Sequence, residues 1–329
     1  MRICLVTPAP PRSYHGNRVT ALRWAAILRE LGHSVEVTQT YDGGPTDLLI
    51  ALHARKSADA VRRARAEHPA TPIVLALTGT DLYPDLDSTG VDPGVLAAAD
   101  RLVVLQSLGV EQIPEYLRGR ARVIEQSAER PPPDSAAPPS LEEAHFAVAL
   151  LAHVRQVKDP LLVAEAVRML PADSTIRVQH AGAVIEPELG ARAEEESRTN
   201  SRYTWLGEVP PPDAQRLLAR SRLLVCPSRH EGGANVVSES LAAGVPVVAT
   251  KIPGTEGILG ADYPGYFPVG DGEALAELLY RVERNREGLY DDLLRDCGRL
   301  ADLASPARER DAWAALLAEF GEAATRSQE

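Results

Sequence analysis

The segment Val225-Cys226-Pro227-Ser228-Arg229-His230-Glu231-Gly232-Gly233-Ala234-Asn235-Val236-Val237-Ser238-Glu239 holds the densest set of residues able to do chemistry. An apolar strand ends at Pro227-Ser228, a short loop follows, and the pattern starts a helix near Gly233. Glycine has no Cβ, so the backbone N–H groups of Gly232, Gly233, Ala234 and Asn235 can come close to an anion. The positive end of the helix dipole faces the same spot. Glu231 precedes the helix and Glu239 lies about two turns in. Carboxylates would repel a phosphate, so these two suit hydroxyl groups. A sugar nucleotide offers a diphosphate and hydroxyls together. The plain alternative is a glycine-rich loop with surface glutamates.

Two further spots carry candidate side chains. Pro10-Pro11-Arg12-Ser13-Tyr14-His15-Gly16-Asn17-Arg18 leads into a first helix. Gly16 and Asn17 suit a tight loop and an N-cap, and Arg12 and Arg18 add positive charge. A small anion fits there; an ordinary turn between strand and helix is the alternative. His53, in Ala51-Leu52-His53-Ala54-Arg55, follows another strand end. It is a candidate ligand contact or simply a strand-end histidine. No Gly-x-Gly-x-x-Gly follows Leu5-Val6, which disfavours a nicotinamide-dependent oxidoreductase.

The elements that position these residues alternate along the chain. Ile3–Val6, Val35–Thr38, Leu48–Leu52, Ile73–Leu77, Leu102–Leu105 and Val123–Ile124 read as buried parallel strands. Helix-period stretches lie between them, notably Val19–Leu31 and Ala58–Glu67. A second series follows: Ala147–Leu151, Ile176–His180, Thr204–Leu206, Leu223–Cys226 and Val245–Ala249. Between the series, Pro131-Pro132-Pro133 and Pro138-Pro139 mark a linker. The expected organisation is a Rossmann-like domain over 1–128, a linker over 129–143 and a second domain over 144–305. A C-terminal helix over 306–329 would pack back on the body. Such sheets bind ligands at the carboxyl ends of their strands, so the fold class is α/β with two doubly wound domains facing a central cleft. The helix carrying Arg55, Lys56, Arg62, Arg63 and Arg65 reads as a solvated basic face. Contact with an anionic ligand or membrane is the alternative.

Composition narrows the function classes. The chain has 329 residues, 44% hydrophobic and 25% charged, which excludes wholesale disorder. Its net charge of −11 argues against nucleic-acid binding. Residues 1–140 are nearly neutral, with 15 basic and 16 acidic side chains, which leaves room for a local cationic pocket. Cys4, Cys226 and Cys297 have no metal-like spacing and read as reduced core residues. No apolar run reaches the ~18 residues of a membrane span, and the first strand is too short for a signal peptide. A cytoplasmic protein with no stable membrane association is expected.

The Glu231–Glu239 pair, eight positions apart after a Pro-Ser strand end, resembles the paired-glutamate element of the family-4 glycosyltransferases, which have the GT-B fold. Trp205-Leu206-Gly207-Glu208-Val209-Pro210 looks like the family's strand-turn that contacts the nucleobase through its backbone, which involves Val209. Ala242-Ala243-Gly244-Val245-Pro246-Val247-Val248-Ala249 and Val269-Gly270-Asp271 continue the likeness. The resemblance implies that Glu239 binds ribose hydroxyls and Glu231 the donor sugar. It also implies a diphosphate-binding arginine and, five residues on, a lysine. Lys158 matches that lysine, whereas His153 stands where arginine is usual and Arg155 is the candidate substitute. Thr78, in Leu77-Thr78-Gly79-Thr80-Asp81, stands where many members have a histidine.

These departures occur together in one subgroup, and the whole chain resembles the selenosugar synthases of selenoneine biosynthesis. That resemblance implies transfer of a sugar from a UDP-sugar, chiefly UDP-N-acetylglucosamine, to selenophosphate. UDP and phosphate leave, and pathway enzymes are further partners. The UDP-sugar is then a substrate, with no cofactor and no metal expected. An ionised selenium nucleophile does not need a base to remove a proton. A missing cleft histidine is therefore tolerable, and Gly16, Asn17, Arg18, Arg12, His53 and Thr78 become the acceptor side. Two alternatives remain open: a conventional retaining glycosyltransferase with a hydroxyl acceptor, and a nucleotide-sugar epimerase on the same fold.

Overall fold

The computed structural model describes residues 1–86, 88–131 and 145–326. The linker expected over 129–143 falls outside the described residues from position 132 onward. The described chain forms two compact units. The first comprises Met1–Gln126, Glu231–Gly233 and Pro306–Glu329; the second comprises Ser127–His230 and Ala234–Ser305.

In the first unit the order is β1 (Arg2–Val6), α1 (Gly16–Glu30), β2 (Ser34–Thr38), β3 (Leu48–Leu52), α2 (Ala58–Glu67), β4 (Ile73–Leu77), α3 (Pro93–Ala98), β5 (Arg101–Val104), α4 (Gly109–Gln112) and β6 (Ala121–Val123). Among the described residues these strands make one parallel sheet, ordered β2-β1-β3-β4-β5-β6. Burial follows position in the sheet. Every residue of β3 and β4 is buried, whereas edge strand β2 alternates. Side chains alternate across a strand, so Leu48, Ile50 and Leu52 pack on one face with Trp24 and Leu28 of α1. Leu49 and Ala51 pack on the other with Val61 and Ala64 of α2. Both faces are covered, which is why the strands read as unbroken apolar runs.

The second unit holds β7 (Phe146–Leu151), α5 (Pro160–Arg168), β8 (Ile176–Ala181), α6 (Pro187–Thr199), β9 (Tyr203–Trp205), α7 (Pro211–Ala219), β10 (Leu223–Cys226), α8 (Asn235–Ala243), β11 (Val247–Thr250), α9 (Pro253–Leu259), β12 (Tyr266–Phe267), α10 (Gly272–Glu283) and α11 (Leu289–Leu300). Its described strands form a parallel sheet ordered β12-β11-β10-β7-β8-β9. The last helix, α12 (Pro306–Arg326), belongs to the first unit, where Trp313, Leu316 and Leu317 are buried. The rings of Trp24 and Trp313 meet edge to face, 4.8 Å between centroids. Cys226 and Cys297 are buried and Cys4 half-buried, all as free thiols. Burial, with Glu36 and Asp42 nearby, pushes the Cys4 thiol up to about 12, so it stays protonated and unreactive. No helix among the described residues is long and apolar enough to cross a membrane.

One buried histidine gives the second unit an acid-sensitive point. His180 on β8 is fully buried; its Nε2 lies 2.7 Å from the Ala152 carbonyl, which can only accept. Nε2 therefore carries the proton, and Nδ1 accepts from the Tyr203 hydroxyl at 2.5 Å. Burial lowers this imidazole from 6.5 to about 4. Between those values the unfolded chain binds a proton that the folded chain does not, so stability falls as pH falls through that window. The full loss is about 3 kcal/mol. Urea unfolding near pH 7 and near pH 4.5 should show it, and His180→Gln should flatten the difference. An equally steep variant would remove His180 as the cause.

Candidate functional site

Each sheet has a point where the strand order reverses, and the loops leaving the two strands there splay apart to form a crevice. In the second unit this point lies between β7 and β10, which pair through Leu223 with Val148 and Leu224 with Ala149. His153, Arg155 and Lys158 lie on the loop after β7. Ala234, Asn235 and Glu239 lie at the start of the helix after β10. The crevice thus has a cationic loop on one side and a helix N-terminus on the other.

The cationic loop is held from several directions. Val154 donates to the Ala183 carbonyl at 2.8 Å, and Ile185 donates back to the Val154 carbonyl at 3.1 Å. His153 Nδ1 accepts from the Ala183 N–H at 3.2 Å, which fixes the ring. The Lys158 N–H closes a tight turn onto the Arg155 carbonyl at 3.1 Å. Asp159 then adopts a left-handed backbone, φ 46°, costly for a non-glycine residue. Arg229, on the loop after β10, locks this turn: its N–H donates to the Val157 carbonyl at 2.9 Å and its guanidinium lies 2.8 Å from Asp159. Burial raises the Asp159 carboxyl above its ordinary value, and Arg229 opposes that shift. The Arg155 Nε is buried without a hydrogen-bond partner, a donor that a bound anion would satisfy.

Across the crevice, α8 starts at Asn235, two residues later than the sequence pattern places it. Its N-cap, Ala234, makes no side-chain cap bond, and no acidic residue sits in the first turn. No carboxylate within that turn offsets its dipole. Asn235 and Glu239 are four residues apart and share one helix face. Val209 is half-buried in the loop between β9 and α7. That loop is joined to its neighbour by the Gly182 N–H, which donates to the Gly207 carbonyl at 2.8 Å. A cavity of about 700 Å³ opens beside the lysine turn, lined by Gln156, Asp159, Leu161, Ile185, Glu188 and Arg192, among others. Lys158 and Glu239 do not line it.

In the first unit the reversal lies between β1 and β3. Arg12, Gly16, Asn17 and Arg18 follow β1, and His53 follows β3. Helix α1 begins at Gly16, with His15 as N-cap and no side-chain cap bond. Asn17 is therefore inside the first turn, not the cap that its residue type suggests; its carbonyl accepts from the Thr7 hydroxyl at 3.1 Å. The Arg18 Nε is buried and makes no hydrogen bond. Arg12 is exposed with a left-handed backbone, φ 64°.

His53 is 3% exposed and also left-handed, φ 72°. Its Nε2 lies 3.2 Å from the Thr80 hydroxyl and its Nδ1 3.7 Å from Asp81. Burial lowers its imidazole below the ordinary value, against the pull of Asp81, so the ring is neutral near pH 7. Asp81 is the organiser that sequence reasoning missed. Fully buried, it accepts from the N–H groups of Thr78 at 3.0 Å, Gly79 at 2.8 Å and Ala54 at 2.7 Å. The ends of β3 and β4 are thereby sewn together. Its signal was a carboxylate among small residues at a strand end.

The segment Glu231–Gly233 belongs to this unit too. Glu231 is buried. A Cβ on Gly232 would lie 2.5 Å from the Thr78 carbonyl carbon and 2.6 Å from the Gly79 nitrogen. The absence of a side chain at Gly232 thus permits a close backbone approach, a reason the anion argument did not supply. Thr78 is brought against Gly232.

Residues 145–285 match the family model of glycosyl transferases group 1. This stretch is thus similar to a group 1 glycosyltransferase domain. It contains the loop of Lys158, the Glu231–Glu239 segment and all six described strands of the second sheet. HepE of Anabaena, solved in complex with UDP and glucose, superposes with a TM-score of 0.74 at 14% identity, covering 97% of this chain and 100% of that one. A glycosyltransferase from Rickettsia africae gives 0.73 at 14% identity, with 97% and 98% covered. Sucrose-phosphate synthase from Thermosynechococcus elongatus gives 0.68 at 16%, with 99% and 98% covered. Likeness over nearly the whole chain shows the fold: two parallel-sheet Rossmann-like domains of the GT-B type. A curated relative, glycosyltransferase 1 domain-containing protein 1 of Xenopus tropicalis, is 29% identical over 111 residues. That match spans 33% of this chain and 32% of the relative. Among the described residues no group of three or more His, Cys, Asp or Glu side chains is placed to hold a metal ion.

Proposed function

We propose that the chain is a cytoplasmic, UDP-sugar-dependent glycosyltransferase that moves N-acetylglucosamine to selenophosphate, without a metal. The observation that carries the donor half is the layout at the β7/β10 reversal. The loop of Lys158 and Arg155, whose Nε is buried without a hydrogen-bond partner, follows β7, and across the reversal a helix start without a side-chain cap carries Asn235 and Glu239 on one face. Such a crevice suits a diphosphate between cations and amides, with ribose hydroxyls on Glu239 and Val209 beside the base. HepE, of the same fold, binds UDP and UDP-glucose, which supports a uridine nucleotide as the donor carrier.

The acceptor half rests on the resemblance together with the β1/β3 reversal. There an uncapped α1 and the buried, unpartnered Nε of Arg18 suit a small anion. Selenium attacks the anomeric carbon as the bond from that carbon to the UDP oxygen breaks, and water then cleaves the Se–P bond to release phosphate. Lys158, Arg155 and the amides of Gly232–Asn235 neutralise the departing UDP, Glu231 positions the sugar and Glu239 the ribose. Arg12, Gly16, Asn17, Arg18, His53 and Thr78 form the acceptor side.

The deciding experiment is UDP release from UDP-N-acetylglucosamine with and without selenophosphate, followed by mass spectrometry. Selenophosphate-dependent release with a selenium-bearing sugar is expected. Release without selenophosphate would replace the reading with hydrolysis or epimerase chemistry. No release, with UDP still bound, would replace it with a hydroxyl-acceptor transferase. Arg18→Ala is expected to raise the KM for selenophosphate about tenfold, with UDP affinity unchanged. The reverse pattern would remove the β1–α1 loop from the acceptor side.

A further inference from the structure

A buried polar chain runs through the first unit and ends on the backbone beside Glu231. It starts on α12, where Glu309, 1% exposed, accepts from the Trp24 indole at 2.7 Å and from Arg23 Nε at 2.8 Å. Arg23 Nη2 donates to Gln126 Oε1 at 3.0 Å, and the Thr20 hydroxyl donates to the same oxygen at 3.0 Å. Gln126, 4% exposed, then donates through Nε2 to the Gly233 carbonyl at 2.7 Å. Thr20, Arg23 and Trp24 are spaced to share one face of α1. With Oε1 taken by two donors, the amide cannot rotate, so its N–H must face Gly233.

We infer that Gln126 is a positioning residue, which aims the backbone at the start of α8 under control of the C-terminal helix. The peptide between Gly233 and Ala234 is planar and trans, so its carbonyl and its N–H point in opposite directions. Holding the Gly233 carbonyl on Gln126 therefore turns the Ala234 N–H away from Gln126. Glycine at 233 makes the opposite peptide orientation accessible, and the bond from Gln126 selects one of the two. A side chain at 233 is no substitute for that bond, because a Cβ there would lie 2.6 Å from Leu105 Cβ. Glu309 matters because it fixes Arg23, which in turn fixes the amide of Gln126. The inference rests on the donor reading, in which the Ala234 amide contacts the diphosphate, but its backbone consequence does not.

The test compares Gln126→Glu with the parent chain. Glutamate keeps acceptors for Thr20 and Arg23 but sets a carboxylate oxygen against the Gly233 carbonyl. Hydrogen exchange at residues 231–235 should quicken, and UDP binding by calorimetry should weaken about tenfold. Gln126→Asn, one methylene shorter and uncharged, should act in the same direction. Leu316→Ala, which thins the packing of α12 without touching the polar chain, should lower Tm and leave both readouts unchanged. Unchanged exchange in both Gln126 variants would overturn the inference. So would equal changes in Leu316→Ala, which would make the chain of bonds a matter of general stability. A parent chain that does not bind UDP would sink the donor reading instead, and the exchange data would still decide the role of Gln126.

Discussion

Lys158→Ala is expected to lower kcat for UDP release by about 100- to 1,000-fold, with a smaller change in UDP affinity. The reason lies in when the charge appears. In the proposed reaction the bound UDP-sugar has a diphosphate already paired with cations and amides, whereas the bond to the sugar places one further negative charge on it as it breaks. A cation beside that oxygen stabilises the transition state more than the ground state, and only that difference speeds the reaction. The turn that carries Lys158 is held in place. It is closed on the Arg155 carbonyl, pinned by the Arg229 N–H on Val157 and anchored by the Arg229–Asp159 ion pair. A lysine on a fixed turn does not have to be organised during the reaction. Lys158→Arg keeps the charge on a longer, planar group and should recover only part of the rate. Wild-type kcat in Lys158→Ala would remove this residue from the leaving-group site. Loss of UDP affinity alone, with kcat preserved, would reassign it to ground-state binding.

The fold was largely legible because both sheets are parallel and covered on each face. Leu48–Leu52, Ile73–Leu77 and Leu223–Cys226 coincide with β3, β4 and β10, since a strand buried on both sides must be apolar throughout. β12 escaped notice because two residues between glycine and proline carry no period. Helix α1 starts at Gly16 where the apolar period begins only at Val19, because Gly16, Asn17 and Arg18 bring no apolar side chain to the core. The candidate site was legible where glycine, charge and spacing coincide, as at Glu231–Glu239. It was not legible where a polar residue works by satisfying backbone. Asp81 and Gln126 have no spacing pattern, because each joins elements far apart in sequence: Asp81 ties its own turn to Ala54, and Gln126 ties α1 to Gly233. Glu309 did leave a trace. It falls four residues before Trp313 on the apolar stripe of the last helix, a buried carboxylate that demands donors.

Asp81 is where the largest stability effect is expected. Its carboxylate accepts N–H groups from Thr78, Gly79 and Ala54, and its burial is complete. Asp81→Ala leaves those donors without a partner at about 1–3 kcal/mol each, a loss of about 3–5 kcal/mol when the two partly buried ones are discounted. That is a large share of the ~5–15 kcal/mol that holds a domain folded. Asp81→Asn should fall between, since its amide oxygen still serves Thr78 and Gly79 while its NH2 confronts the Ala54 N–H. Tryptophan fluorescence separates the units: Trp24 and Trp313 are buried in the first, and Trp205 belongs to the second. In a Trp205→Phe background, urea unfolding of Asp81→Ala should shift well below the parent, and further than that of Asp81→Asn. The consequence reaches the site, because the Thr78–Gly79 turn that Asp81 holds is the surface against which Gly232 lies. A loosened turn leaves Glu231 unsupported, so residual UDP release in Asp81→Ala should fall even at temperatures where the chain remains folded. Parent-like unfolding would show that the turn is held by its neighbours and that the carboxylate is incidental to it.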